Sequence, residues 1–265
     1  MRITVLGSGT CELRAQRSSP AYLVEAGGVR VMLDLGQGAW RRLLDSGRRV
    51  AEVDGVVISH PHPDHMADLI PWLFALKYDP VLAAQAQSTL LAHAGLEPLL
   101  AALDQAWSGW LNPPLEVLTR RWLEPGDEAA LGEVRIGTAA AVHHAHSLAW
   151  RLEAGGRSLV YLGDSEAGGE LAALARGADL LICHCAGTDQ EPKAGHLHPA
   201  ACGELAAAAG VGALLLSHFY RVVGPEEAVA SAAACFSGPV WAAFDGLQLE
   251  LTAGGVVRPA GICED

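Results

Sequence analysis

The sequence predicts an α/β fold of four layers, an αββα sandwich in which two sheets pack together with helices outside. Two observations predict it: strand-like runs cluster in both halves of the 265-residue chain, and helical stretches flank both clusters. One doubly wound sheet fits that distribution less well. In chain order, ITVLG, AYLVEAGGVRVMLDLG and VDGVVIS are short β-branched runs ending in Gly or polar turns. They read as strands, the middle pair being a hairpin across Gly27-Gly28. Helices are predicted over 38–46, 66–78, 96–107, 166–176, 199–209 and 225–234, where length and apolar spacing suit packing on one face. Strands return at 116–118, 134–139, 148–153, 158–162, 180–183, 213–216 and 240–243. The segment AWSGWLNPPLEVLTRRW, with Trp107, Trp110 and Trp122 around Asn112-Pro113-Pro114, reads as a surface loop stapled by buried tryptophans, a lid over an active site being the other reading. No linker, low-complexity tract or fixed-period repeat divides the chain, so residues 1–265 are expected to form one domain.

Charge narrows the partners. Lys+Arg 18 against Asp+Glu 30 gives a net charge of -12, which repels phosphate backbones at long range. A small-molecule substrate is therefore expected and a long nucleic acid is not; a homodimer is compatible with the composition. The cysteines Cys11, Cys183, Cys185, Cys202, Cys235 and Cys263 lack the regular spacing of a disulfide framework and read as reduced thiols. The N-terminus runs straight into a strand, and the longest apolar stretch, 205–216, falls short of the roughly 18 residues that a membrane span requires. A soluble, cytoplasmic protein is expected.

The stretch SHPHPDHMADL carries the chemistry. Pro61 and Pro63 should stiffen an extended loop after a strand, so that His60 and His62 point one way while Asp64 and His65 swing to a neighbouring position. That arrangement suits two adjacent metals. Imidazole and carboxylate ligands favour Zn²⁺, with Mn²⁺ or Fe²⁺ as alternatives, over the all-oxygen sites of Mg²⁺ or Ca²⁺.

His60-x-His62-x-Asp64-His65 after a strand resembles the signature of the metallo-β-lactamase superfamily. The likeness continues through VLGSGT, SSPAYLVE, VMLDLGQG, AVHHAHSLAWRLEAGGRSLVYLGDS and LLLSHFYR, in the family's order. The resemblance implies one metal on His60, His62 and His143 and another on Asp64, His65 and His218, with Asp164 bridging. His144 and His146 stand beside His143; alignment on Ser147 to Arg151 favours His143, and strand alternation would send His144 to the opposite face. Asp34 would sit behind the first histidines and orient them, a plain turn aspartate before Gly36 being the simpler reading.

Within the superfamily, His65 separates the chain from the true β-lactamases and His62 from the flavodiiron proteins. VLGSGT with Arg17-Ser18-Ser19, HFYR, and GHLH around His196 are more similar to the RNase Z and cyclic-phosphate phosphodiesterase branch. The long tRNA-clamping arm of bacterial RNase Z is missing, because only a short hairpin through Gly155-Gly156 joins His143 to Asp164. The family's His-Glu-Ala-Thr segment stands here as His184-Cys185-Ala186-Gly187. The implied activity is hydrolysis of small phosphodiesters, cyclic ones included, by a metal-bridging hydroxide, with metals about 3.5 to 4 Å apart. Asp64 would hold that hydroxide and His196 would act as general acid, the bland alternative being that His196 or His198 lines the loop that Pro199 ends. His184, Tyr220 and Arg221 are candidates to orient ligands or touch phosphate. Cys183 and Cys185 alternate on an apolar strand and read as buried small hydrophobes, not as a soft metal site. Rival activities on the same centre are lactone or thioester hydrolysis, and sulfur dioxygenation by a single iron with Cys185 near the pocket.

Overall fold

The computed structural model describes residues 1–258, so Cys263 lies outside the described residues. One sheet contains β1 (Arg2–Gly7), β2 (Ala21–Ala26), β3 (Val29–Leu33), β4 (Gly55–Val57), β5 (Ser88–His93) and β6 (Leu118–Leu123). The other contains β7 (Glu128–Leu131), β8 (Val134–Ala140), β9 (Leu148–Ala154), β10 (Arg157–Tyr161), β11 (Leu180–His184), β12 (Leu214–Ser217) and β13 (Val240–Ala242). The chain then returns to the first sheet with β14 (Gln248–Thr252) and β15 (Gly255–Val257), which extend it beyond β1. Strands β3 to β6 run parallel, and so do β10 to β13.

Period-2 alternation builds the layers. Tyr22, Val24, Leu159, Tyr161, Leu180 and Ile182 face the core between the sheets. Their neighbours Leu23, Val160 and Leu181 face outward under helices. The first sheet is covered by α1 (Ala39–Asp45), α2 (Pro63–Met66), α3 (Leu69–Tyr78), α4 (Pro80–Gln85) and α5 (Leu96–Ala106), through Leu43, Met66, Trp72, Leu82 and Leu100. The second is covered by α6 (Gly169–Ala175), α7 (Pro199–Ala209) and α8 (Pro225–Cys235), through Leu171, Leu205 and Ala232. The αββα sandwich is thus the observed architecture. No helix among the described residues is long and apolar enough to cross a membrane.

Several boundaries differ from expectation. The stretch after His62 is not extended: Pro63 opens α2, where its missing N–H costs nothing. The helix predicted over 66–78 is interrupted at Ala67 and Asp68. There the Asp68 N–H donates to Leu35 O and its carboxylate accepts the Trp40 N–H. Strands β5, β7, β14 and β15 and helix α4 were not predicted, and β6 lies C-terminal to its predicted position. Alanine-rich β7 is a poor strand by composition; its pairing with β8 overrides propensity. Trp107 and Trp110 are half exposed, so Leu111 and Val117 do the burying in that loop. The loop is stapled to α3, with Trp110 packed on Phe74 and Lys77 donating to Gly109 O.

The two sheets approach closely beside β4 and β10. The Leu148 N–H donates to Ser59 O, and Gly163 adopts φ +61 with Ser59 Cβ only 2.6 Å from where its own Cβ would lie. Gly163→Ala is therefore expected to destabilise the fold by roughly 2–4 kcal/mol. Urea unfolding tests this; a change below about 0.5 kcal/mol would mean that the two loops separate freely.

Candidate metal centre

Parallel strands end together, and their C-terminal ends carry the polar groups, the usual place for a site in α/β sheets. From the first sheet, β3 leads into Asp34 and β4 into Ser59 and His60. From the second, β10 leads into Asp164, β11 ends in His184 and β12 leads into His218. His62 closes the extended approach to α2, whose first turn supplies Asp64 and His65.

Three imidazoles converge on one side. His62 Nδ1 lies 2.9 Å from His60 Nε2 and 3.0 Å from His143 Nε2. His143 Nδ1 faces Gly195 O at 2.7 Å and must donate there, so in the neutral ring Nε2 carries only a lone pair. A neutral His62 has one proton at most for two such neighbours. A cation would satisfy all three nitrogens. Asp164 Oδ2 lies 3.7 Å from His60 Nε2, 3.6 Å from His143 Nε2 and 3.4 Å from His65 Nε2.

On the other side are His65, His184, His218 and Asp64. His65 Nδ1 meets Asp34 Oδ2 at 2.7 Å, which turns its Nε2 toward Asp164. Asp34 is fully buried at φ 57 and also accepts from the Ser59 N–H, the Ser59 hydroxyl and the Tyr161 hydroxyl. These bonds tie Asp34 to the His65 ring, to the loop at Ser59 and to Tyr161 on β10. His218 is another left-handed non-glycine, at φ 62, held by its N–H to Ser8 O. Its Nε2 lies 3.5 Å from Asp64 Oδ2 and 3.6 Å from Asp164 Oδ1.

Sealed from solvent without a hydrogen-bond partner are His65 Nε2, His196 Nδ1 and both ring nitrogens of His218. Orphaned nitrogens of this kind are costly in a bare protein and fit a bound cation. By distance, two sets could hold an ion: His60, His62, His143 and Asp164, and His65, Asp164, His184 and His218. The donor set suits Zn²⁺ and related transition metals.

Electrostatics follow the packing. Burial opposes charge on Asp164, but His218, His65 and the hydrogen bond with His184 hold its pKa well below the usual carboxylate range. Burial likewise opposes Asp64, yet the His218 contact and the charge of His65 keep it at about 2. Burial disfavours an imidazolium at His65, but Asp164 and Asp34 hold it well above its usual value. His60 is pushed well below by burial and by the charge of His65.

Of the remaining candidates, His196 joins the centre, its Nδ1 3.8 Å from Asp164 Oδ2 and its ring stacked 5.6 Å from that of His218. His198 does not; it bonds Asp189 before α7. His144 lies in a turn, not on a strand, so alternation is not what separates it from His143; its N–H donates to the Ser147 hydroxyl oxygen and the residue is exposed. Tyr220 stands at the rim, 5.6 Å from the His218 ring, under the Lys193 ammonium. Arg221 is committed elsewhere, donating its backbone N–H to Glu12 and its guanidinium to Leu13 O. Cys183 and Cys185 are fully buried against α7 on the helical side of the second sheet, so Cys185 does not face the centre. Sequence reasoning missed Tyr22, Ser59, Tyr161 and Ser217. The only signal was a tyrosine in each of two strands, at positions that alternation turns toward the core.

Residues 30–219 match the family model described as the beta-lactamase superfamily domain. An uncharacterised protein of Mycobacterium leprae is 30% identical over 262 residues, 96% of this chain and 89% of that protein. A ribonuclease Z of Bradyrhizobium diazoefficiens is 27% identical over 289 residues, 88% of this chain and 94% of that enzyme. Among solved structures, the metallo-beta-lactamase fold protein YhfI from Bacillus subtilis superposes with a TM-score of 0.81 at 25% identity, covering 93% of this chain and 98% of that one.

Proposed function

The chain belongs to the beta-lactamase superfamily, and from that premise we propose that it works as one domain, a phosphodiesterase with two divalent metal ions that acts on small, including cyclic, phosphodiesters. The observation that carries this reading is the position of Asp164 between two groups of imidazoles, with Oδ2 within 3.8 Å of His60, His65, His143 and His196. One ion would be held by His60, His62 and His143 and the other by Asp64, His65 and His218, with Asp164 shared. Zn²⁺ is the first expectation, then Mn²⁺ or Fe²⁺. Such ions supply positive charge for the phosphoryl oxygens and a water of lowered pKa.

The chain's own residues do the rest. Asp64 stays ionised at neutral pH and can accept a hydrogen bond from the attacking water. Asp34 and Gly195 O fix the ring orientations of His65 and His143. His196 reaches the centre from the loop before α7, where its imidazolium can protonate a departing alkoxide. Tyr220 and Lys193 form a rim that can receive an anionic substrate.

A small substrate is favoured by the net charge of -12 and by the plain hairpin of β9 and β10 that joins His143 to Asp164. Purified protein loaded with Zn²⁺ or Mn²⁺ should hydrolyse bis-p-nitrophenyl phosphate and at least one cyclic nucleotide or cyclic ribose phosphate. Turnover of lactones or thioesters without phosphodiesters would overturn the proposal. Processing of a precursor tRNA 3′ trailer is expected to be weak or absent; cleavage at rates comparable with small phosphodiesters would show that the substrate class is wrong.

A further inference from the structure

We infer that Tyr22, with Ser217, is a positioning residue that seats the His184 ring so that His184 orients Asp164 and is not itself a metal ligand. The inference rests on the proposal that the centre takes divalent ions. Strand alternation turns Tyr22 on β2, His184 on β11 and Ser217 on β12 toward the space between the sheets. Tyr22 Oη lies 2.6 Å from Ser217 Oγ and 3.1 Å from His184 Nε2, and His184 Nδ1 lies 2.8 Å from Asp164 Oδ1. All four side chains are buried, so they satisfy one another.

Their donors and acceptors fix the protons. An ionised carboxylate only accepts, so His184 must carry its proton on Nδ1. The neutral ring then offers a lone pair at Nε2 toward the Tyr22 hydroxyl, 3.1 Å away. That hydroxyl also donates to Ser217 Oγ, so its one proton is shared between Oγ and Nε2. The chain runs from Tyr22 to Asp164, engages Oδ1, and leaves Oδ2 to face His60, His65 and His143. By distance alone His184 could join His65, His218 and Asp164 around an ion. For that, Nδ1 would have to surrender the proton that Asp164 Oδ1 accepts at 2.8 Å, and the ring would no longer orient the carboxylate. Asp64 Oδ2, 3.5 Å from His218 Nε2 and 3.9 Å from His65 Nε2, is the group available on that side instead.

Zinc titration against a chromophoric chelator tests the inference on wild type, Tyr22→Phe, His184→Asn and His184→Ala, with thermal unfolding as the control for folding. Asparagine keeps an N–H near the Nδ1 position but offers no imidazole nitrogen. Positioning therefore predicts the wild-type number of ions in His184→Asn with affinity close to wild type, and affinity roughly 10–100-fold weaker in His184→Ala and Tyr22→Phe. Loss of one ion from both His184 variants at saturating zinc would make His184 a ligand. Wild-type affinity in Tyr22→Phe would remove the role of Tyr22. A second measurement needs neither a variant nor a metal: imidazole nitrogen-15 spectra of the ion-free protein should give His184 as the Nδ1–H tautomer, and the Nε2–H tautomer would overturn the proton chain. Failure of the wild type to take up zinc counts against the two-ion proposal, and the spectrum still decides the chain.

Discussion

Asp164→Asn is expected to lower phosphodiester hydrolysis on the order of 10³-fold or more and to reduce the metal content of the purified protein from close to two ions per chain. The reason lies in the position of the carboxylate. It is buried, and its two oxygens stand between the imidazoles of His60, His65, His143 and His218 at 3.4–3.7 Å. Asparagine keeps the shape and removes the charge that would be shared between two cations. The amide nitrogen would also point an N–H at nitrogens that must offer lone pairs. Elemental analysis beside the rate measurement separates the two effects. Native protein that holds no more than one ion, even after Zn²⁺ or Mn²⁺ reconstitution, would sink the dinuclear proposal, and an Asp164→Asn variant with full activity would remove Asp164 from the centre.

His196→Ala should depress hydrolysis of an alkyl phosphodiester by roughly 10² to 10⁴-fold while reducing hydrolysis of a p-nitrophenyl ester far less, with metal content unchanged. A poor leaving group needs a proton as it departs; p-nitrophenolate is stable without one. Burial holds the His196 imidazole down at about 4 against the pull of Asp164, so the ring is neutral at pH 7 in the ion-free protein. An anionic substrate beside it favours the imidazolium, and the alkyl-ester rate of the wild type should therefore fall more steeply with rising pH than the p-nitrophenyl rate. Equal losses on both esters would remove the general-acid role. Loss of metal would make His196, whose Nδ1 is 3.8 Å from Asp164 Oδ2, a ligand.

Much of this was legible in one dimension. The strand period of two sorts the side chains of AYLVE, SLVYL and LLICH into two faces whatever the partner strand, and their apolar character on both faces marks strands covered on both sides. The crowding of His60, His62, Asp64 and His65 into six residues, and the recurrence of His143, Asp164 and His218 after strand-like runs, pointed to a cation before any contact was known. Local pattern failed where pairing or a cap made the element: β5 and β7 exist through their neighbours, and α2 through Pro63 and the Leu35 backbone.

Only the tertiary structure decided which polar groups meet. It sent Arg221 to the loop at Glu12 and Leu13, His198 to Asp189, and Cys185 under α7, while it brought His196 into the centre. It also placed Tyr22, Tyr161, Ser59 and Ser217 beneath Asp34, His60, His65 and His184. Strand period sets the face of the sheet a side chain occupies, but its partner across the sandwich depends on the register and separation of two sheets whose strands are far apart in sequence. A buried hydroxyl carries no mark of the group it will bond; the partner is the one polar atom within about 3 Å once the layers have packed.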